Sequence, residues 1–150
     1  MPDAVIVVGT PLYDKVLSCA VTRPIEFDNV MYVLHFYAAT HYEGLRGELE
    51  TAVEAGLPVF ISECGICEAS GGGVTDFAFA AEWFTYLNEH KISYAIWSLS
   101  DKDETSAFFN LSFDPESSIT DEDLTASGQW VRELIRGKEP KSIPARTFRS

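Results

Sequence analysis

Cysteine is scarce in this chain. Cys19, Cys64 and Cys67 are the only three in 150 residues, so they form no even disulfide framework and leave the redox compartment open. Basic side chains are scarce too: 11 Lys and Arg stand against 23 Asp and Glu, a net charge of −12. That balance argues against nucleic acid and against anionic membranes, because phosphate binding depends on Lys and Arg displacing counterions. A neutral polymer or small molecule fits better, and acidity itself mostly serves solubility. No run approaches the roughly 18 apolar residues of a membrane span. Met1-Pro2-Asp3 carries no basic region and Val5 to Val8 is too short for a leader's apolar core, so no signal peptide is expected. One domain fits the length, but a complete eight-unit α/β barrel, at about 250 residues, does not. A strand pattern that begins within the first few residues leads us to expect a piece cut from a larger fold.

What is present is alternation of apolar runs with helical patterns. Ala4 to Val8, Val30 to Leu34, Pro58 to Ser62 and Ile92 to Leu99 read as strands. Between them lie a short helix around Asp14 to Ala20, a helix over about Tyr42 to Ala55 ended by Gly56, and a helix capped by Thr75 or Asp76 that runs to about His90. The middle helix gathers Leu45, Leu49, Ala52 and Val53 on one face, and the third gathers Phe77, Ala80, Ala81, Phe84 and Leu87. After a long loop from Ser100 to Ile119, a last helix is predicted to start near Thr120, to pack through Leu124, Val131, Leu134 and Ile135, and to end at Gly137. Residues 1–137 form the expected domain, and 138–150 a basic tail. Strand and helix in fourfold alternation predict an α/β fold with four parallel strands. Half of a (β/α)8 barrel and a flavodoxin-type doubly wound sheet both satisfy the pattern.

The chemistry gathers at strand ends. Glu63 closes the run VFISECG, where a buried parallel strand delivers a carboxylate to the sheet rim; it reads as a nucleophile for a sugar or, more plainly, as a structural acid that caps a loop. His35 and Tyr37 alternate on one strand and share a face. Tyr37 can hydrogen-bond a nearby carboxylate, while a lone histidine there is as readily a rim residue. Trp97 is either a stacking platform for a pyranose or core filling. Cys64-x-x-Cys67 has redox or zinc spacing but no second pair, and is read as incidental. Gly71 to Gly73 lacks the following Lys-Ser/Thr of a phosphate loop and reads as a flexible turn. No metal or cofactor is called for.

Three motifs in order, NVMYVLHFYAATH, GLPVFISECGICEASGGG and ISYAIWSLSDKDETSA, resemble the second half of family five glycoside hydrolases, in particular bacterial endo-β-1,4-glucanases of cellulase type. The likeness runs from Val5 to about Arg136. It implies a (βα)4 half-barrel in which Glu63 matches the catalytic nucleophile and His35 and Tyr37 match the His-x-Tyr pair beside the cleavage point. Trp97 matches the tryptophan that stacks under the sugar on the non-reducing side of the scissile bond. Lys102 and Glu104 match loop residues that bond sugar hydroxyls further along that side, and Ala69 falls where the loop backbone approaches the glucan. Tyr13 stands where relatives usually carry a tryptophan on the leaving-group side. Cys64 stands where an aromatic residue is more usual, and alternation should turn it away from the site.

The resemblance also implies an absence. The family's general acid/base is a glutamate in an Asn-Glu pair on strand four, and only strands five to eight are matched here; Asn88-Glu89 falls inside a predicted helix. We therefore expect one wall of a β-glucan cleft with little or no cellulase activity on its own, or a silent carbohydrate-binding half-barrel. Open strand edges lead us to expect a homo-oligomer, a dimer in its simplest form, or a partner supplying the missing N-terminal half-barrel. Relatives of this kind are secreted.

Overall fold

The structure, a computed structural model, describes residues 4–138. Four strands, β1 (Ile6–Val8), β2 (Val30–Tyr37), β3 (Val59–Gly65) and β4 (Tyr94–Ile96), pair in parallel in the order β1-β2-β3-β4. Each connection thus advances the sheet by one strand in the same direction. Right-handed crossovers that never reverse place their helices on one face and create no topological switch point. The flavodoxin alternative requires such a reversal, so the sheet order excludes it and leaves half of a (β/α)8 barrel.

Helices Glu43–Glu54 and Phe77–Glu89 are the crossovers. The first buries Leu49 and Ala52 and stops at Gly56, whose φ of +75° suits glycine. The second starts at Asp76, whose carboxylate accepts from Phe79 N at 2.9 Å, and buries Phe79, Ala80, Trp83, Phe84 and Leu87. Against them the sheet turns Val30, Tyr32, Leu34 and Phe36 of β2 with Val59, Ile61 and Cys64 of β3. Phe36 stacks on Trp83 at 4.0 Å between ring centres. One face of the sheet is therefore sealed, while His35 and Tyr37 of β2 lie on the other.

Several boundaries differ from the sequence reading. The expected helix over Asp14 to Ala20 is replaced by a tight turn at Pro11–Asp14, with left-handed φ at Leu12, Tyr13 and Asp14, and a short helix Ser18–Thr22. β4 is much shorter than Ile92 to Leu99, although Trp97 N still donates to Cys64 O at 2.8 Å. The last helix is Ala126–Ile135, not a helix from Thr120. Thr120 instead opens a 3₁₀ turn at Asp121–Asp123, where Thr120 and Asp123 satisfy each other's backbone donors. Leu124 is buried, but it bridges Phe109 in extended form. Ile135, expected in the core, is 75% exposed. Residues 139–150 of the expected tail lie outside the described residues.

Among the described residues β1 keeps one edge free; Ile6 and Val7 on it are exposed, as is Val5 just before it. No helix among the described residues is long and apolar enough to cross a membrane. The three cysteines are free thiols, Cys19 exposed, Cys64 and Cys67 buried, and burial pushes both buried thiols above their ordinary range. Only a thiolate attacks an alkylating reagent. One cysteine is therefore expected to alkylate in the native protein and three after unfolding, counted by mass spectrometry.

Candidate active site

Strand alternation alone would turn Glu63 the wrong way. It shares parity with Val59 and Ile61, whose side chains face the helices. Between the pairs Val33↔Phe60 and His35↔Glu63 the register shifts by one residue, so β3 carries a bulge at Ile61 to Glu63. A bulge re-aims the side chains that follow it. Ser62 and Glu63 consequently both meet β2 side chains: Ser62 Oγ lies 2.7 Å from His35 Nε2, and Tyr37 OH donates to Glu63 Oε1 at 2.7 Å. Cys64 returns to the sealed face, with its thiol on Ala95 O at 3.4 Å, as the sequence reading anticipated.

Tyr37 fits because residue 65 has no side chain. A Cβ there would lie 2.6 Å from Tyr37 Cδ1, inside the ring's own space. Burial and the neighbouring Glu63 push the Tyr37 phenol far above its ordinary value, so it remains a proton-bearing donor. Oε2 of Glu63 accepts no hydrogen bond among the described residues. Gly65→Ala is expected to turn the ring aside and break the bond to Glu63, seen in proton NMR as loss of a slowly exchanging downfield hydroxyl signal.

His35, Tyr37 and Glu63 line a cavity of about 450 Å³ together with Tyr13, Asp14, Lys15, His41 and Ala69. Tyr37 N donates to His41 Nδ1 at 2.9 Å, and burial, then the Lys15 charge, lower the His41 pKa. Ala69 N donates to Thr40 Oγ1 at 2.9 Å, which fixes the loop rim. Tyr13, largely exposed, has Lys15 Nζ 5.8 Å from its ring centre. The left-handed residues Leu12, Tyr13 and Asp14 put both Tyr13 and Asp14 on this wall, at a backbone cost of about 1–3 kcal/mol each.

Not every expected site residue joins this cavity. Lys102 and Glu104 line a second cavity, also about 450 Å³, with Gly72, Gly73 and residues near the start of the last helix. Trp97, 41% exposed, stands outside the residues lining either space and has Lys102 Nζ 5.7 Å from its ring centre. Glu104 accepts from Ser106 Oγ at 3.3 Å. The sequence reading missed Asp14, Lys15, His41 and Ser62. His41 carried a weak signal in the Tyr37-x-x-x-His41 spacing, whereas the others depend on the turn and the bulge.

The model of the cellulase family, glycosyl hydrolase family 5, matches residues 1–103. The chain belongs to that family. Similar relatives of this family 5 chain include endoglucanase A of Butyrivibrio fibrisolvens, 42% identical over 89% of this chain and 31% of its own length. The endoglucanase of Clostridium saccharobutylicum is 34% identical over 94% of this chain and 32% of its own. Among solved structures, a thermostable, halotolerant family 5 cellulase from an Icelandic hot spring isolate superposes with a TM-score of 0.84 at 35% identity, covering 95% of this chain and 46% of that one. The endoglucanase catalytic domain of Thermobifida fusca, solved with cellotetraose, gives 0.80 at 33%, covering 90% and 47%. The family 5 chain thus spans about a third of the length of these curated relatives and just under half of these solved chains.

Proposed function

We propose that this chain is the C-terminal half of a retaining endo-β-1,4-glucanase and carries its nucleophile, Glu63. The observation that carries the reading is the Tyr37–Glu63 hydrogen bond inside the cavity, which points one carboxylate oxygen and leaves the other free. In a retaining reaction the free oxygen attacks the anomeric carbon, while a second carboxyl about 5–5.5 Å away protonates the departing oxygen. His35 and Tyr37 orient the nucleophile; Tyr13 and Ala69 bound the sugar on the same cavity, and Trp97, Lys102 and Glu104 extend the glucan surface.

The second carboxyl is the weak point. Asp14 shares the cavity, but its Oδ1 accepts Thr10 N at 2.6 Å and its Oδ2 faces His35, so both oxygens are already engaged. Asn88 and Glu89 sit at the end of the Phe77–Glu89 helix, where Asn88 Oδ1 accepts Tyr94 OH. Loss of a proton donor removes about 10² to 10⁴ in rate. These 150 residues are thus proposed to show little or no turnover of a soluble cellulose derivative alone. The open edge of β1 fits either a second copy or a complementary N-terminal half-barrel, and secretion is proposed by kinship.

Mixing the chain with a separately produced first half of a relative's barrel tests both parts. Activity is expected only in the mixture, and only with Glu63 intact. Turnover by the chain alone, lost on Glu63→Gln, would refute the inactivity; activity indifferent to Glu63→Gln would refute the nucleophile. The Lys102–Trp97 contact beside a second cavity favours one other reading, a silent carbohydrate-binding half-barrel. Binding of cello-oligosaccharides with no turnover even in the reconstituted mixture would select it.

A further inference from the structure

The turn at Pro11–Asp14 is strained and closely tied down. Three successive non-glycine residues hold φ of 56°, 59° and 59°. Such backbone persists only where surrounding contacts over-determine it, and it clusters at functional sites. Here one of those contacts is made by the Asp14 side chain itself, and the others run through the backbone and Thr10. Thr10 N donates to Asp14 Oδ1 at 2.6 Å, Asp14 N returns a bond to Thr10 O at 3.1 Å, and Lys15 N donates to Pro11 O at 3.1 Å. Thr10 Oγ1 then ties the turn to β2 by donating to Val33 O at 3.0 Å, two residues before His35.

What this delivers is the second carboxylate oxygen of Asp14, 3.6 Å from His35 Nδ1, with both side chains 23% exposed. The distance is a little longer than a hydrogen bond. On the far side of the ring, His35 Nε2 meets Ser62 Oγ at 2.7 Å. A neutral imidazole has one proton to place, and which nitrogen bears it depends on the partner each nitrogen meets. A carboxylate cannot donate, whereas a serine hydroxyl can donate or accept. An acceptor facing Nδ1 favours the proton there, and in that tautomer Ser62 donates to Nε2.

We propose that Asp14 is a positioning residue: its left-handed turn fixes the His35 tautomer with the proton on Nδ1, so that the ring presents an N–H donor to the cavity beside Glu63. Ser62, re-aimed by the bulge in β3, locks the opposite edge of the ring. The sugar oxygen that such a donor would meet belongs to the substrate proposed above, so the functional consequence rests on that reading; the tautomer does not.

The test is ¹⁵N NMR of the His35 ring in the whole chain at neutral pH. Wild type is expected to show a protonated Nδ1 and a bare Nε2. In Asp14→Asn, which keeps an oxygen for Thr10 N but removes the charge, the population is expected to shift toward the other tautomer. Ser62→Ala is expected to leave Nδ1 protonated. A bare Nδ1 in wild type, an unchanged tautomer in Asp14→Asn, or a switch in Ser62→Ala would each overturn the assignment, and the wild-type and Ser62→Ala spectra decide it if Asp14→Asn does not fold. A second readout is covalent labelling of Glu63 by an activated 2-fluoro cellobioside, expected to slow on the order of tenfold in Asp14→Asn. An unchanged labelling rate alongside a shifted tautomer would overturn the positioning role, whereas no labelling even in wild type would strike the glycosidase reading and leave the tautomer standing.

Discussion

Exchange of Glu63 for glutamine is expected to abolish covalent labelling by a 2-deoxy-2-fluoro β-cellobioside that carries a dinitrophenolate leaving group. Dinitrophenolate departs as a stable anion and needs no proton, so this substrate asks only for the half of the machinery proposed here. The free Oε2 attacks C1, the C1–O bond to the aryl group breaks, and the electron pair leaves with dinitrophenolate. Fluorine at C2 destabilises the cationic transition states and leaves the ester standing. Wild type should gain the mass of one fluorocellobiosyl group on Glu63, with release of coloured dinitrophenolate. The glutamine amide is no nucleophile, and the initial rate should fall by about three orders of magnitude or more. Tyr37→Phe should fall between the two, since it removes the 2.7 Å bond that orients the carboxylate. A label on any other residue, or equal rates in Glu63→Gln and wild type, would end the assignment.

Gly128→Ala is expected to produce the largest loss of stability. A Cβ at Gly128 would lie 2.0 Å from the backbone oxygen of Phe108 and 2.8 Å from its carbonyl carbon. Backbone cannot rotate away as a side chain can. The contact is also pinned from three directions: Thr125 N donates to that same oxygen at 3.0 Å, Thr125 Oγ1 donates to Ala107 O at 2.5 Å, and Ser127 Oγ donates to Thr105 O at 2.6 Å. The start of the Ala126–Ile135 helix would have to lift from the Thr105–Phe108 segment, taking Trp130 and Val131 out of register with the core. Overpacking of this kind costs about 3 kcal/mol or more. For a domain of this size that lowers Tm by roughly 6–12 °C. Gly44 and Gly47 provide the contrast: they lie within a helix with nothing inside 4 Å of the added carbon, and alanine there is expected to stabilise by about 0.5–1 kcal/mol. Thermal unfolding of the three variants side by side checks the argument, which fails if Gly128→Ala melts with wild type.

Much of this protein was legible from residues alone. The alternation of apolar runs with helical stripes gave four strands and their crossovers, because a period of 2 or 3.6 is a property of neighbours along the chain. Asp76 and Gly56 marked helix ends for equally local reasons. Tyr37 was legible as the partner of a carboxylate, since parity on one strand puts it on the same face as His35. Boundaries near loops were less legible: Thr120 caps a 3₁₀ turn as well as it would cap a helix, and only the antiparallel bridge of Leu124 to Phe109 chooses between them.

The amino-acid order by itself determined the α/β class, the succession of elements and the family motifs, all of which depend on short-range spacing. Tertiary structure alone decided the rest. The sheet order excluded the doubly wound alternative, since pairing between strands far apart in sequence leaves no mark within either. The bulge in β3 turned Glu63 from the helix side to the cavity, and a one-residue slip becomes visible only when two strands are laid together. The left-handed turn at Leu12, Tyr13 and Asp14 has no glycine to announce it, because its strain is held by the Asp14 and Thr10 hydrogen bonds, one of them to β2, and not by its own preferences.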